Sequence, residues 1–109
     1  MANVSLSSAA IERILSERNK YTRVLGRRDL VPRLDHHLAV YYALKDGRMM
    51  DDGPGFALSF GERQEIDDKQ HLFIDLAKNG VVAIAPGDFF RVGTHVIDWD
   101  GKKFTHTSG

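Results

Sequence analysis

From Ser8 to Leu25 the residues Ile11, Ile14, Leu15, Arg18, Thr22 and Leu25 recur at the three- and four-residue spacing of one helical face. Ser7 or Ser8 can cap the start, and Gly26 suits a left-handed stop. Glu12 falls in the early turns while Arg23, Arg27 and Arg28 fall at or past the end, an order that complements the helix dipole. A helix is predicted here.

Leu30 to Leu44 supports two readings. As a helix it would take Asp29 as N-cap, hold Pro32 in a first turn whose amides lack partners anyway, and stop near Gly47. Leu30, Leu34, Tyr41 and Leu44 would then cluster with His37 among them, and His36 would turn toward Ala39 and Ala43. As a strand from His36 to Leu44, the period of two places His36 with Leu38, Val40, Tyr42 and Leu44, and "KDG" becomes a hairpin turn. The helix is preferred for its cap, its leucines and its alanines. The two histidines therefore report on the element: His37 inward means helix, His36 inward means strand.

"RMMDDGPG" reads as a loop, and Phe56 to Phe60 as a short strand with Phe56, Leu58 and Phe60 on one face. "ERQEIDDKQHLFIDLAKNG" carries Ile66, Phe73, Leu76 and Ala77 at helical spacing and ends in Asn79-Gly80, so a second helix is expected; a hairpin turn at Asn-Gly is the alternative. Val81 to Ala85 is a continuous apolar run that predicts a central strand covered on both faces. "THVIDWDGKKFTH" predicts a hairpin, because Asp100-Gly101 separates two alternating runs.

Leu76 to Phe90, "LAKNGVVAIAPGDFF", resembles the helix, strand and turn in the small domain of pyridoxal-phosphate aminotransferases. The likeness spans fifteen residues and comes without a large domain or a cofactor-binding lysine context, so it bears on local structure and implies no cofactor. The expected architecture is one α+β domain over residues 1–109, with an N-terminal helix or helices packed on a mostly antiparallel sheet of about three to five strands and a C-terminal hairpin.

A hydrophobic fraction of 42% and a charged fraction of 28% are those of a chain that builds a core. The absence of cysteine excludes disulfides and thiolate metal sites and suits a cytosol. The first residues lack the basic and apolar regions of an export signal, and no run approaches the roughly 18 apolar residues of a membrane span. A cytoplasmic protein with no membrane contact is expected. Charge is uneven along the chain: residues 1–50 hold nine Lys/Arg against five Asp/Glu, and residues 51–109 hold six against ten. That asymmetry suits steered association or head-to-tail self-contact unless the halves pair their charges on folding.

Dedicated chemistry is sparse. His36 and His37 diverge by about 100° on a helix and about 180° on a strand, so the pair cannot chelate one ion from a regular element. His95 and Asp98 point to opposite faces of a strand. No zinc-protease, calcium-loop, nucleophile-elbow or phosphate-loop motif is present, and neither a metal nor a catalytic residue is assigned. A histidine with Asp35, Asp75, Asp88, Asp98 or Asp100 could make an acid–base pair, against the plainer reading of a buried imidazole bonded to backbone. Met49, Met50, Phe89, Phe90 and Trp99 are either contact anchors or core; Trp99 shares a hairpin face with His95 and Ile97, which favours core.

The basic run from Arg18 to Arg33 is the main functional signal. It assigns Arg18, Lys20, Arg23, Arg27, Arg28 and Arg33, together with the outward-facing His36 of the helical reading, to a binding surface, with Asp51 and Asp52 opposing wrong partners. The expected function is non-enzymatic: a regulatory or inhibitor protein of small bacterial, plasmid or phage type that holds an acidic protein surface or a second copy of itself. Nucleic-acid binding through the same cations is the first alternative, and a small His/Asp-dependent enzyme the second.

Overall fold

The computed structural model describes residues 3–27, 29–51, 53–86, 90 and 93–108. Asn3–Leu6 forms strand β1, and Ser8–Leu25 forms helix α1 as its periodicity predicts. Ser7 caps the helix, its hydroxyl accepting from the Ala10 amide at 3.1 Å and donating to Asp98, and Gly26 ends it at φ 67°. Ala10 and Ile14 are fully buried, whereas Leu25 leaves the apolar face and is 53% exposed.

The remaining strands are β2 (Leu30–His37), β3 (Tyr41–Ala43), β4 (Met49–Asp51), β5 (Gly55–Glu62), β6 (Leu72–Asp75), β7 (Val81–Ala85), β8 (Thr94–Trp99) and β9 (Phe104–Ser108). Seven of the nine strands, β1 included, make one mixed, nearly barrel-closed sheet in the order β1-β8-β9-β5-β2-β7-β6, while β3 and β4 pair separately as a ribbon. β1 runs parallel to β8 and β2 parallel to β7; the other neighbours are antiparallel. The chain is mostly β with one long helix, which overturns the expected α+β arrangement of helices on three to five mainly antiparallel strands.

Two segments account for the difference. Leu30 to Leu44 is not a helix: β2 is held by β5 along its whole length and by β7 from Arg33 to Asp35, and the second strand, β3, follows a bend. Pro32 lies outside the β7 ladder, so its missing amide hydrogen breaks no bond there. The second predicted helix is also absent. Short 3-10 turns at Arg63–Glu65 and Ala77–Asn79 flank β6, whose pairing with β7 makes the hairpin at Asn79-Gly80 that the sequence left as an alternative. In that turn Gly80 has φ 86° and Leu76 donates to its carbonyl at 2.6 Å. The helix of the aminotransferase-like stretch is thereby reduced to one 3-10 turn, while its strand is β7. β7 lies one strand in from the edge rather than at the centre, with Val82, Ala83 and Ile84 all buried.

One face of the sheet turns toward α1. Leu34, Phe56, Val82, Ile84, Ile97 and Phe104 pack there with Phe90 against Ala10 and Ile14, and Trp99 joins their margin. Directly opposed pairs such as Leu34 with Ile84 and Phe56 with Phe104 tie neighbouring strands through this face. Trp99 thus belongs with the core, whereas Met49 and Met50 are exposed on the ribbon at 60% and 42%. Phe89 and Asp52 lie outside the described residues.

Candidate binding recesses

The last turns of α1 and the starts of β2 and β7 enclose a surface recess of about 840 Å³. Arg18 and Arg23 reach it from the helix, Arg63 from the first 3-10 turn, and Lys78 with Asn79 from the β6–β7 turn. Arg18 donates to the Asn79 carbonyl, which fixes the helix to that turn. Arg63 lies over the Phe73 ring at 4.2 Å and pairs with Asp68 at 2.9 Å. Arg23 and Lys78 form no ion pair among the described residues.

Asp29 is the carboxylate on the rim, and its charge is already matched. Arg27 donates to both of its oxygens, at 3.1 and 2.7 Å, and reaches Glu62 at 2.7 Å as well. These hydrogen bonds hold the Asp29 carboxyl below its ordinary range and raise the affinity of Arg27 for its proton. The recess is consequently basic.

The structure divides the cations that the sequence had grouped. Arg18 and Arg23 line the recess. Lys20 is paired with Glu17 at 3.3 Å and Arg27 is engaged as above. Arg33 lies on the other face of β2 from Pro32 and Leu34, where its guanidinium donates to Nε2 of His71 at 3.2 Å and sits 3.9 Å from Asp35. Arg28 falls outside the described residues. Arg63 and Lys78 were missed, because only the folded turns around β6 bring them to α1. Knowledge of the Asn79-Gly80 hairpin would have pointed to Lys78.

His36 belongs to a different place. Period-two alternation along β2 puts it on the core side with Pro32 and Leu34, and His37 is exposed. It meets Phe56 edge-on at 5.2 Å and His106 at 6.5 Å between ring centres. His106 and His95, from neighbouring positions of the β8–β9 hairpin, stack at 4.9 Å, with Nε2 of one 2.7 Å from Nδ1 of the other. One ring must donate in that bond and the other accept. Phe90 stands edge-on to both. Burial lowers the proton affinity of His36, with the charge of His37 adding to it; His106 is lowered by burial and then by His95 and His36.

A second recess of about 450 Å³ lies at the carboxyl ends of β2 and β7, lined with Asp35, His37, Lys69, Gln70, Ala85 and Pro86. Among the described residues no group of three or more His, Asp or Glu side chains is placed to hold a metal ion, and no helix is long and apolar enough to cross a membrane. No protein-family model, curated protein or solved structure matches the chain.

Proposed function

We propose that the protein is a non-enzymatic binding protein that holds an acidic protein surface in the recess at the end of α1. The observation that carries this reading is the convergence of Arg18, Arg23, Arg63 and Lys78 on one recess whose carboxylate, Asp29, is already bonded to Arg27. An acidic side chain entering there meets Arg23 and Lys78, which hold no ion pair among the described residues, with Arg18 and Arg63 adding positive charge beside them. The adjoining last turn of α1 exposes Val24 at 81% and Leu25 at 53%. Apolar side chains beside cations suit a protein partner, which offers matching apolar groups, better than a bare phosphate backbone.

The double variant Arg23→Glu, Lys78→Glu tests the reading, since both side chains are exposed and neither holds a described ion pair. Affinity capture from the native host should retain an acidic protein with the natural chain and lose it with the variant, at unchanged thermal unfolding. An identical set of captured proteins from both would overturn the proposal. Retention of nucleic acid instead, with an affinity that falls steeply with salt, would transfer the recess to the alternative reading.

A further inference from the structure

We propose that the β3–β4 ribbon is a self-association surface, on which β4 of one copy runs antiparallel to β4 of a second across a twofold axis at Met50, making two ribbons into one four-stranded sheet. This surface is separate from the basic recess and does not rest on it. Leu38, Tyr41, Met49 and Met50, on the ribbon or in the bend that leads to it, are all exposed large apolar side chains. A ribbon of two strands is marginal in water by itself, and no other strand among the described residues extends this one.

The backbone ladder shows what the edge of β4 offers. Leu44 donates to the Arg48 carbonyl at 2.8 Å, so these two residues form a hydrogen-bonded pair. Alternation then turns the amides and carbonyls of Tyr42 and Met50 inward, and those of Met49 and Asp51 outward. Met49, Met50 and Asp51 are all exposed, which leaves an open edge ready to accept another strand. In antiparallel pairing about Met50, Met49 of each copy stands opposite Asp51 of the other. Both residues face outward, so each such pair exchanges two hydrogen bonds. Charge favours a second copy as the occupant. Read antiparallel about Met50, the sequence Arg48-Met49-Met50-Asp51-Asp52 sets its basic end against the acidic end of its copy, at both sides of the axis. Arg48 pairs with Asp46 at 2.6 Å in a solvent-exposed bridge that adds little energy and can be exchanged. A formal net charge of zero means that two copies approach without net repulsion. On the axis Met50 meets its own copy, a contact to which the flexible thioether adapts.

Sedimentation of the natural chain should show a monomer–dimer equilibrium with a dissociation constant below about 1 mM. Met50→Lys, at an exposed position, sets two ammonium groups against each other on the axis. It should weaken the dimer by about tenfold or more and leave thermal unfolding of the dilute monomer unchanged. Residues opposed at a non-hydrogen-bonded position stand about 4.5 Å apart between Cα atoms, within the range a disulfide spans. The chain has no cysteine, so single introduced thiols report without background. Under mild oxidation Met50→Cys should give a disulfide-linked dimer, whereas Ala43→Cys, on the far strand of the ribbon, should stay monomeric. The Arg23→Glu, Lys78→Glu variant should dimerise as the natural chain does. A natural chain that remains monomeric at about 1 mM would overturn the proposal. So would a dimer that Met50→Lys leaves intact, cross-linking of Ala43→Cys ahead of Met50→Cys, or a dimer lost in the Arg23→Glu, Lys78→Glu variant. If Met50→Lys does not fold, the two cysteine variants still decide.

Discussion

The adjacent histidines His36 and His37 differ in everything except sequence position. Alternation along β2 sends one into the aromatic cluster and leaves the other in solvent. The sequence made that outcome a test of secondary structure, and the strand answers it in favour of His36. It also assigned His36 to an outward surface with six cations, an assignment that falls with the helix. The consequence for stability has a definite sign. His36 and His106 hold protons less well in the folded chain than in the unfolded one, so the unfolded state binds more protons in the window below their ordinary value of 6.5. Stability should therefore be full above that value and fall as pH drops below it, levelling off under the folded-state values. Asp29 and Asp100, whose carboxyls are lowered from 3.8, act only at more acidic pH and do not obscure the window. Urea unfolding midpoints between about pH 7.5 and pH 5 should show the decline, and His106→Gln should flatten it.

Among the elements, those specified locally were legible and those specified by distant partners were not. α1 has its cap, stop and apolar face within twenty residues, and the β8–β9 hairpin has Asp100-Gly101 between alternating runs. By contrast, Ile66, Phe73, Leu76 and Ala77 imitate helical spacing although a turn, a strand and another turn carry them. What turns Leu72–Asp75 into a strand is β7 beside it, and what fixes β2 is β5 and β7 together. The basic recess was half visible for the same reason: Arg18 and Arg23 lie on α1, whereas Arg63 and Lys78 arrive on those misread turns. Gly55, at the start of β5, gives a direct test of strand-level packing. A Cβ there would lie 2.9 Å from the Phe104 carbonyl oxygen and 3.1 Å from Val40 Cγ2. Gly55→Ala should push β5 from β9 and destabilise the protein by about 1 to 3 kcal/mol in urea unfolding.

For the molecule as a whole, the sheet joins the two differently charged stretches of sequence. β2, from the basic part, is flanked by β5 and β7 from the acidic part, and Arg27 crosses between them to Glu62. The linear asymmetry thus contributes to a local recess rather than simply to two opposed ends. Non-local pairing also governs how fast the fold can form. Because loop closure precedes the reward from contacts such as β1 with β8, refolding in stopped-flow should take on the order of milliseconds to seconds rather than microseconds. The pairing of β1 with β8 has a further consequence during synthesis. As the chain emerges from the ribosome, α1 can coil early, but Ala10 and Ile14 must wait for Thr94–Trp99 before their side of the core is complete, and β1 waits for the same strand. Throughout the synthesis of residues 26–93 the nascent chain carries an apolar helix stripe without its final cover, so the interval between making α1 and making β8 is the one in which that stripe is open to wrong contacts.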